Sequence, residues 1–479
     1  MKYKYLILFS FFLFVSNVLT AQVGINTENP DPSSVLDLNS TEGGFLAPRM
    51  TTAQREDIDN PAQGLLVYDT TLEAFQYYQN GWKTIAADSK RANYKLVQSV
   101  SDLADELIAG GGSIYQLNTD FLYEINGTIL FDFPLDLNGA YVEGVDSTED
   151  ILFNDSGSTF IQGSAGALRN LTIAGNGQTI FNVSGSGTET LLVSGAIFSG
   201  GSSLGSLSDL GVIFFSITQY VNNSNGFDVS DISSFFVSNV FWTASNSGTF
   251  ANLSGSFDNL QINGGRIEID SGEIGIDVSA NPNIVNEAKL SGLSFVGNGT
   301  LINKYTSGSY DGFNFTTDWT VDSSGIPTET DEQSTANFFS TSSLTSGFTQ
   351  TITNGTAVKI EGGGTFENTE LFRFRSNSTN NRLIYEGEKT RNFQLAASLS
   401  VRVIGAAGSF YTFLIAKNGV VVDDSDSLVR INSDVEIQSI SINTVVTMET
   451  DDFVEVFVQR LTGTGTDNLV VFSENLTAR

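Results

Sequence analysis

The sequence predicts an all-β protein, a right-handed parallel β-helix with a small N-terminal module ahead of it and a C-terminal antiparallel jelly-roll sandwich behind it. Two observations predict this. Between Ile151 and Asn303 short apolar runs recur, with Gly, Ser and Asn filling the space between them. After Gly347 the runs lengthen, and a Lys417-Asn418-Gly419 turn joins two of them, which is a strong hairpin signal.

The recurring runs are Leu171 and Ile173 before Gly175, Leu191 and Val193 before Gly195, and Phe236 and Val237 before Asn239. Leu260 and Ile262 before Gly264, then Leu293 and Phe295 before Gly297, continue the series. Neighbours stand roughly 20 to 30 residues apart, the period of solenoids. Each run is too short to bury a face alone. Stacked about 4.8 Å apart as parallel strands, the runs fuse their inward side chains into one core.

The totals exclude several chemistries. The chain of 479 residues has no Cys and no His, so disulfides, thiolate nucleophiles, imidazole bases and the common zinc sites are absent. Any metal would be held by oxygen alone, as calcium or magnesium is, and no cofactor is expected. The net charge is −31, and −33 once Lys2 and Lys4 are removed with a leader. Such a field repels polyanions, so nucleic acid is excluded as a partner.

Met1 to Ala21 carries Lys2 and Lys4, then the apolar block from Leu6 to Val15, and reaches Leu19-Thr20-Ala21 before Gln22. This is the pattern of a cleaved secretory leader, shorter than the ~20 residues of a membrane span. A secreted or surface protein without a membrane span is the expectation. The module, residues 22–86, holds a polar turn, a short helix at Thr52 to Ile58, and strands Leu65 to Asp69 and Phe75 to Tyr78 ahead of an Asn80-Gly81 turn. Its order Val23-Gly24-Ile25-Asn26-Thr27, Gly44-Phe45-Leu46-Ala47-Pro48-Arg49-Met50 and Gly64-Leu65-Leu66-Val67-Tyr68-Asp69 resembles the N-terminal module of exported tail-fibre-like surface proteins of the Bacteroidetes. That resemblance implies an attachment or assembly role and a homotrimer.

Past a polar linker with Lys90 and Arg91, Ser101 is placed to cap a helix over 101–109, with Leu103, Leu107 and Ile108 as its apolar stripe. The helix would cover the open end of the solenoid, assigned to residues 94–327. This order of cap and coils resembles the opening of phage tail-spike-like β-helices. The polar run after Pro327 reads as a linker or neck over 328–346, and 347–479 as a jelly roll of about eight strands. The order Tyr385-Glu386-Gly387, Phe410-Tyr411-Thr412-Phe413 and Asp451-Asp452-Phe453-Val454-Glu455-Val456 resembles trimeric jelly rolls of the complement-globular and tumour-necrosis-factor type.

Candidate chemistry is sparse. Glu268, Asp270, Glu273 and Asp277 form one acidic row, and Glu268 and Asp270 stand i, i+2, close to the ~5–9.5 Å that separates glycosidase carboxyls. Alternation alone also produces such a row, with Arg266 beside it as an ionic partner. Tyr305, Tyr310, Phe313 and Trp319 could stack on sugar rings or plug the last coil. Asp423, Asp424 and Asp426 could offer oxygens to calcium or form a solvated turn. Gly362 to Gly364 lacks the Lys-Ser/Thr of a phosphate loop. The leading expectation is a trimeric fibre-like protein whose tip recognises a glycan or protein surface. A secreted polysaccharide lyase or hydrolase is the second reading, and a phage-derived virion fibre or tail spike the third.

Overall fold

The computed structural model describes residues 22–85, 92–362, 366–377, 380–405 and 407–479. The leader, most of the linker with Lys90 and Arg91, and Gly363 and Gly364 lie outside the described residues.

The module pairs Val23–Ile25 with Leu36–Leu38 in parallel. Arg49–Met50, Leu66–Asp69, Ala74–Tyr78 and Trp82–Thr84 make a four-stranded sheet. Its helix, Thr52–Glu56, starts where Thr51 and Gln54 close a capping box. The module has little interior. Ala47 and Val67 are its fully buried hydrophobic residues, while Val35, Phe45 and Leu46 are 80%, 59% and 72% exposed.

From Tyr94 to Ser324 the chain winds as a parallel solenoid of about nine turns, ~43 Å long at ~4.8 Å per turn. Three flat walls run along it. Wall A stacks Val142, Leu168, Val193, Phe215, Val237, Ile262, Leu290 and Val321 inward. Wall B stacks Leu152, Ile173, Phe198, Tyr220, Trp242, Ile267 and Phe295. Wall C stacks Val183, Leu207, Val229 and Leu253. Along the middle coils of wall A the offset runs from 22 residues, Val193 to Phe215, to 28, Ile262 to Leu290. Two runs predicted to repeat one strand therefore belong elsewhere. Ile173 stacks on Phe198 rather than Val193, and Phe295 on Ile267, so the apparent series mixes walls A and B.

The corner from wall A to wall B is one residue in the left-handed region, stacked from coil to coil at Asn170, Gly195, Ile217, Asn239, Gly264 and Gly292. Asn and Gly take that conformation at small cost, which is why they punctuate the apolar runs. The following corner, between walls B and C, holds buried Asn223 and Asn246. The Asn223 amide donates to Phe198 O and to Asn246 Oδ1, and the Asn246 amide donates to Tyr220 O and Thr243 O. These amides satisfy backbone groups that the turn removes from the ladder. The outward face of wall C carries a different polar column, in which Ser206 donates to Asn182, Asn252 to Asp228 and Asn303 to Asp277.

Both ends of the stack are closed. At the start, a 3-10 turn Val100–Leu103 runs into the helix Ala104–Ala109. The cap is Ser99, closed by Asp102, and not Ser101, because Ser99 is the last extended residue. Leu103 and Leu107 pack on the solenoid core, whereas Ile108 is 76% exposed and leaves the expected stripe, since it points about 100° round the helix from Leu107. At the far end Tyr305, Phe315 and Trp319 fill the last opening.

The supposed neck is part of the C-terminal domain. Thr335–Thr341 is a strand that pairs along Ser473 to Ala478 and with Glu367–Phe372, and its alternate side chains Ala336 and Phe338 are buried. The long strands Arg391–Ile404 and Thr466–Ala478 centre a six-stranded sheet. Ser409–Lys417 and Phe453–Arg460 centre a seven-stranded one. The two sheets enclose a single core, as expected of a jelly-roll sandwich, with more strands than the eight expected. Glu474 lies in that core, 1% exposed, with neither carboxylate oxygen meeting a hydrogen-bond donor among the described residues. Burial pushes its carboxyl up to about 8.

Two stability tests follow from these buried polar groups. Asn246→Ala strands the Asn223 backbone N–H, which donates to Asn246 Oδ1, at a cost of about 1–3 kcal/mol; Asn252→Ala, on the outer column, should stay within about 0.5 kcal/mol, both read from urea midpoints. Between the ordinary carboxyl range near 4.5 and about 8, folded Glu474 keeps a proton that the unfolded chain releases, so its contribution to stability falls as pH rises across that window. Glu474→Gln should flatten that slope and raise Tm at pH 8 more than at pH 5.

Candidate functional site

The acidic row does not assemble. Glu268 sits on the outer face of wall B, where Arg266 Nε donates to one oxygen at 2.6 Å and the Ala244 N–H to the other at 2.9 Å. These bonds, Arg266 first, hold its carboxyl below the usual range, so it is an anion and no proton donor. Asp270 falls just past the end of that strand, in a turn where its N–H donates to Glu273 at 2.8 Å. Asp277 belongs to wall C, bonded to Ser279 and Asn303. The i, i+2 spacing required the strand to continue through Asp270, and it stops at Ile269.

The aromatic candidates divide. Tyr305 and Trp319 are 2% and 0% exposed, with Trp319 Nε1 donating to Tyr305 Oη and Tyr305 donating to Pro282 O. Their rings are closed to any glycan because they complete the solenoid core. Tyr310 and Phe313 instead reach the jelly roll. Phe313 stacks on Phe372 with centroids 3.9 Å apart, and the Tyr310 hydroxyl donates to Glu386 at 2.7 Å.

Charged residues that the sequence reading passed over hold this junction. Arg373, 1% exposed and at positive φ, donates to the carbonyls of Thr317, Trp319 and Glu329 and lies 3.4 Å from Asp331 Oδ1. Asp331 accepts from the backbone of Glu388 and Lys389, and Glu329 from that of Asn314 and Phe315. Burial raises the Glu329 carboxyl despite those bonds. A fully polar segment between two apolar ones was the available signal, since buried backbone ends need such partners.

Two clefts flank the loop at Tyr310. One, of about 580 Å³, is lined by Asp311, Phe313, Asn368 and Thr369 among others, and the second, of about 440 Å³, by Thr317, Glu386 and Asp451. They combine an aromatic wall with amide, hydroxyl and carboxylate groups, the mixture that orients a sugar or a polar peptide. Asp423 and Asp424 lie in a short 3-10 turn with Asp426 after it, anchored by buried Ser425, which donates to Val422 O. Among the described residues no three carboxylates converge closely enough to hold a metal ion. No helix there is long and apolar enough to cross a membrane.

Residues 24–100 match the family described as "Phage tail like trimerisation region". No curated protein matches the chain. Among solved structures, an Eiger TNF from S. frugiperda aligns with 7% identity over 30% of this chain and 91% of its own, TM-score 0.20. Murine APRIL aligns with 7% identity over 29% of this chain and 98% of its own, TM-score 0.18. Tailspike protein 4 of bacteriophage CBA120, in its enzymatically active domain, aligns with 11% identity over 90% of this chain and 77% of its own, TM-score 0.19. Scores this low identify no shared fold, so the architecture rests on strand pairing alone.

If Arg373 joins solenoid to jelly roll, Arg373→Leu leaves Asp331 buried without its cation at a cost of about 3–5 kcal/mol. Calorimetry should then resolve two transitions where the parent protein gives one. A single unshifted transition would show that the joint lies elsewhere.

Proposed function

We propose that the chain is one subunit of an exported, trimeric, fibre-like protein that recognises a glycan or protein surface through its C-terminal end. The observation that carries this reading is the match of residues 24–100 to a trimerisation region that runs into the first solenoid strand. The module's exposed Val35, Phe45 and Leu46 support it, because a piece with two buried hydrophobic residues gains its core by association. The solenoid serves as a stiff spacer, since each coil is clamped by backbone bonds to the next. The jelly roll, of the complement-globular or tumour-necrosis-factor kind, presents the clefts beside Tyr310 as the recognition surface. The N-terminal leader exports the chain. Ion pairing of Glu268 and the scatter of Asp270, Glu273 and Asp277 favour recognition over cleavage.

Recognition by three linked tips is avid. The chain from Gln22 should bind at least one immobilised surface glycan or protein of an array, and deleting residues 22–92 should weaken that binding ~10²–10⁴-fold through lost multivalency. Asp311→Ala with Asn368→Ala should reduce binding without altering assembly. Binding that survives the deletion at full strength would contradict the trimeric reading.

A further inference from the structure

The three outer faces of the solenoid differ in kind. Wall C is polar throughout its middle coils, where Asn182, Ser206, Asp228 and Asn252 stack in an outward column, Ser206 donating to Asn182 and Asn252 to Asp228. Wall A is the opposite. In four successive coils, from Thr190 to Asn263, its strands carry no charged residue in a chain of net charge −31. Its outward column instead runs Leu192, Phe214 and Phe236. Across the corner, wall B turns Ile197 and Phe241 outward on either side of Gln219.

The corner itself carries an anomaly. At the position where other coils place Asn or Gly, one coil has Ile217, a β-branched residue at φ +54° that is 59% exposed. Phe214 and Phe241, on either side of it, are 38% and 44% exposed. Neither backbone geometry nor the chain's own core accounts for an isoleucine there. A strained, exposed apolar residue at the centre of an apolar edge that carries no charge over three coils, before Arg266 follows Phe241 on wall B, has the composition of an interface core, with the Ser and Asn columns around it as a polar rim.

We propose that this edge between walls A and B is where the solenoid meets other copies of this chain, with Ile217, Phe214 and Phe241 facing the trimer axis and wall C facing solvent. The proposal rests on the trimeric reading above. Two observations select a second copy over other occupants. The trimerisation match extends to residue 100, through the first solenoid strand Tyr94–Val97, so assembly brings three solenoids together from their first coil. A partner of the same large negative charge approaches best where charge is missing, and on walls A and B that is the three coils from Thr190 to Trp242. Six apolar side chains are too few to hold a trimer alone, and the module supplies the effective concentration that lets them close.

The chain has no Cys, so one introduced thiol reports on one place. In the chain from Gln22, Gln219→Cys on the edge and Asn182→Cys on wall C are labelled with a maleimide under native conditions, with the mass of each assembly measured beside it. The expected result is a trimer in which the Gln219→Cys thiol reacts an order of magnitude more slowly than the Asn182→Cys thiol, both reacting alike once denatured. Phe214→Ser with Phe241→Ser, two residues already exposed in the single chain, should keep native circular dichroism while dissociating at higher protein concentration than the parent. A trimer whose two thiols label at equal rates, and which the double substitution does not weaken, overturns the edge and leaves the trimeric reading standing. A parent chain that is monomeric overturns both.

Discussion

The structure depends on one constraint, that a parallel strand too narrow to bury anything alone must have another strand of the same kind on each side. One inward column, from Val142 to Val321 on wall A and from Leu152 to Phe295 on wall B, stacks an apolar residue on an apolar residue from coil to coil. The stacking explains both the composition and its interruptions. Corners must turn within one or two residues, so Asn and Gly recur there. Backbone groups freed by a turn need partners, so Asn223 and Asn246 are buried where a purely apolar stack would have no place for them.

A stack of this kind has two raw ends, and much of the remaining sequence answers that problem. The helix Ala104–Ala109, tied down where Glu106 accepts from Lys95 and from Tyr123, covers the first coil. Tyr305, Phe315 and Trp319 cover the last, and Arg373 fastens the carbonyls of that region to the jelly roll. The C-terminal domain is thereby a lid on the solenoid as well as a domain with its own core. The clefts beside Tyr310 lie where the loop after the last coil meets residues of the jelly roll, Phe313 stacking on Phe372.

The fold class was legible because its signals are local. Gly- and Asn-punctuated apolar runs disclose a solenoid, and Lys417-Asn418-Gly419 discloses a hairpin. Which wall a run belongs to was less legible, since all three walls use strands of similar length and the offset drifts from 22 to 28 residues. The strand Thr335–Thr341 was hidden by its polar outward residues and by a partner at Ala478, at the far end of the chain. Glu474 could have been found, because Glu474, Leu476 and Ala478 fall on one inward face of an alternating strand. Arg373 could not, because its partners are carbonyls of a distant loop. Of the candidate site, Glu268 and its neighbours showed their charge in the sequence but not the break at Ile269 that separates them.

The proposed spacer and recognition surface, and the lid between them, acquire a common purpose only if three chains stand side by side. Native mass spectrometry of the chain from Gln22 tests that claim most directly. The account predicts a species of three chains at physiological ionic strength, reduced to one when residues 22–92 are removed. A single-chain mass for the intact protein at micromolar concentration would contradict it.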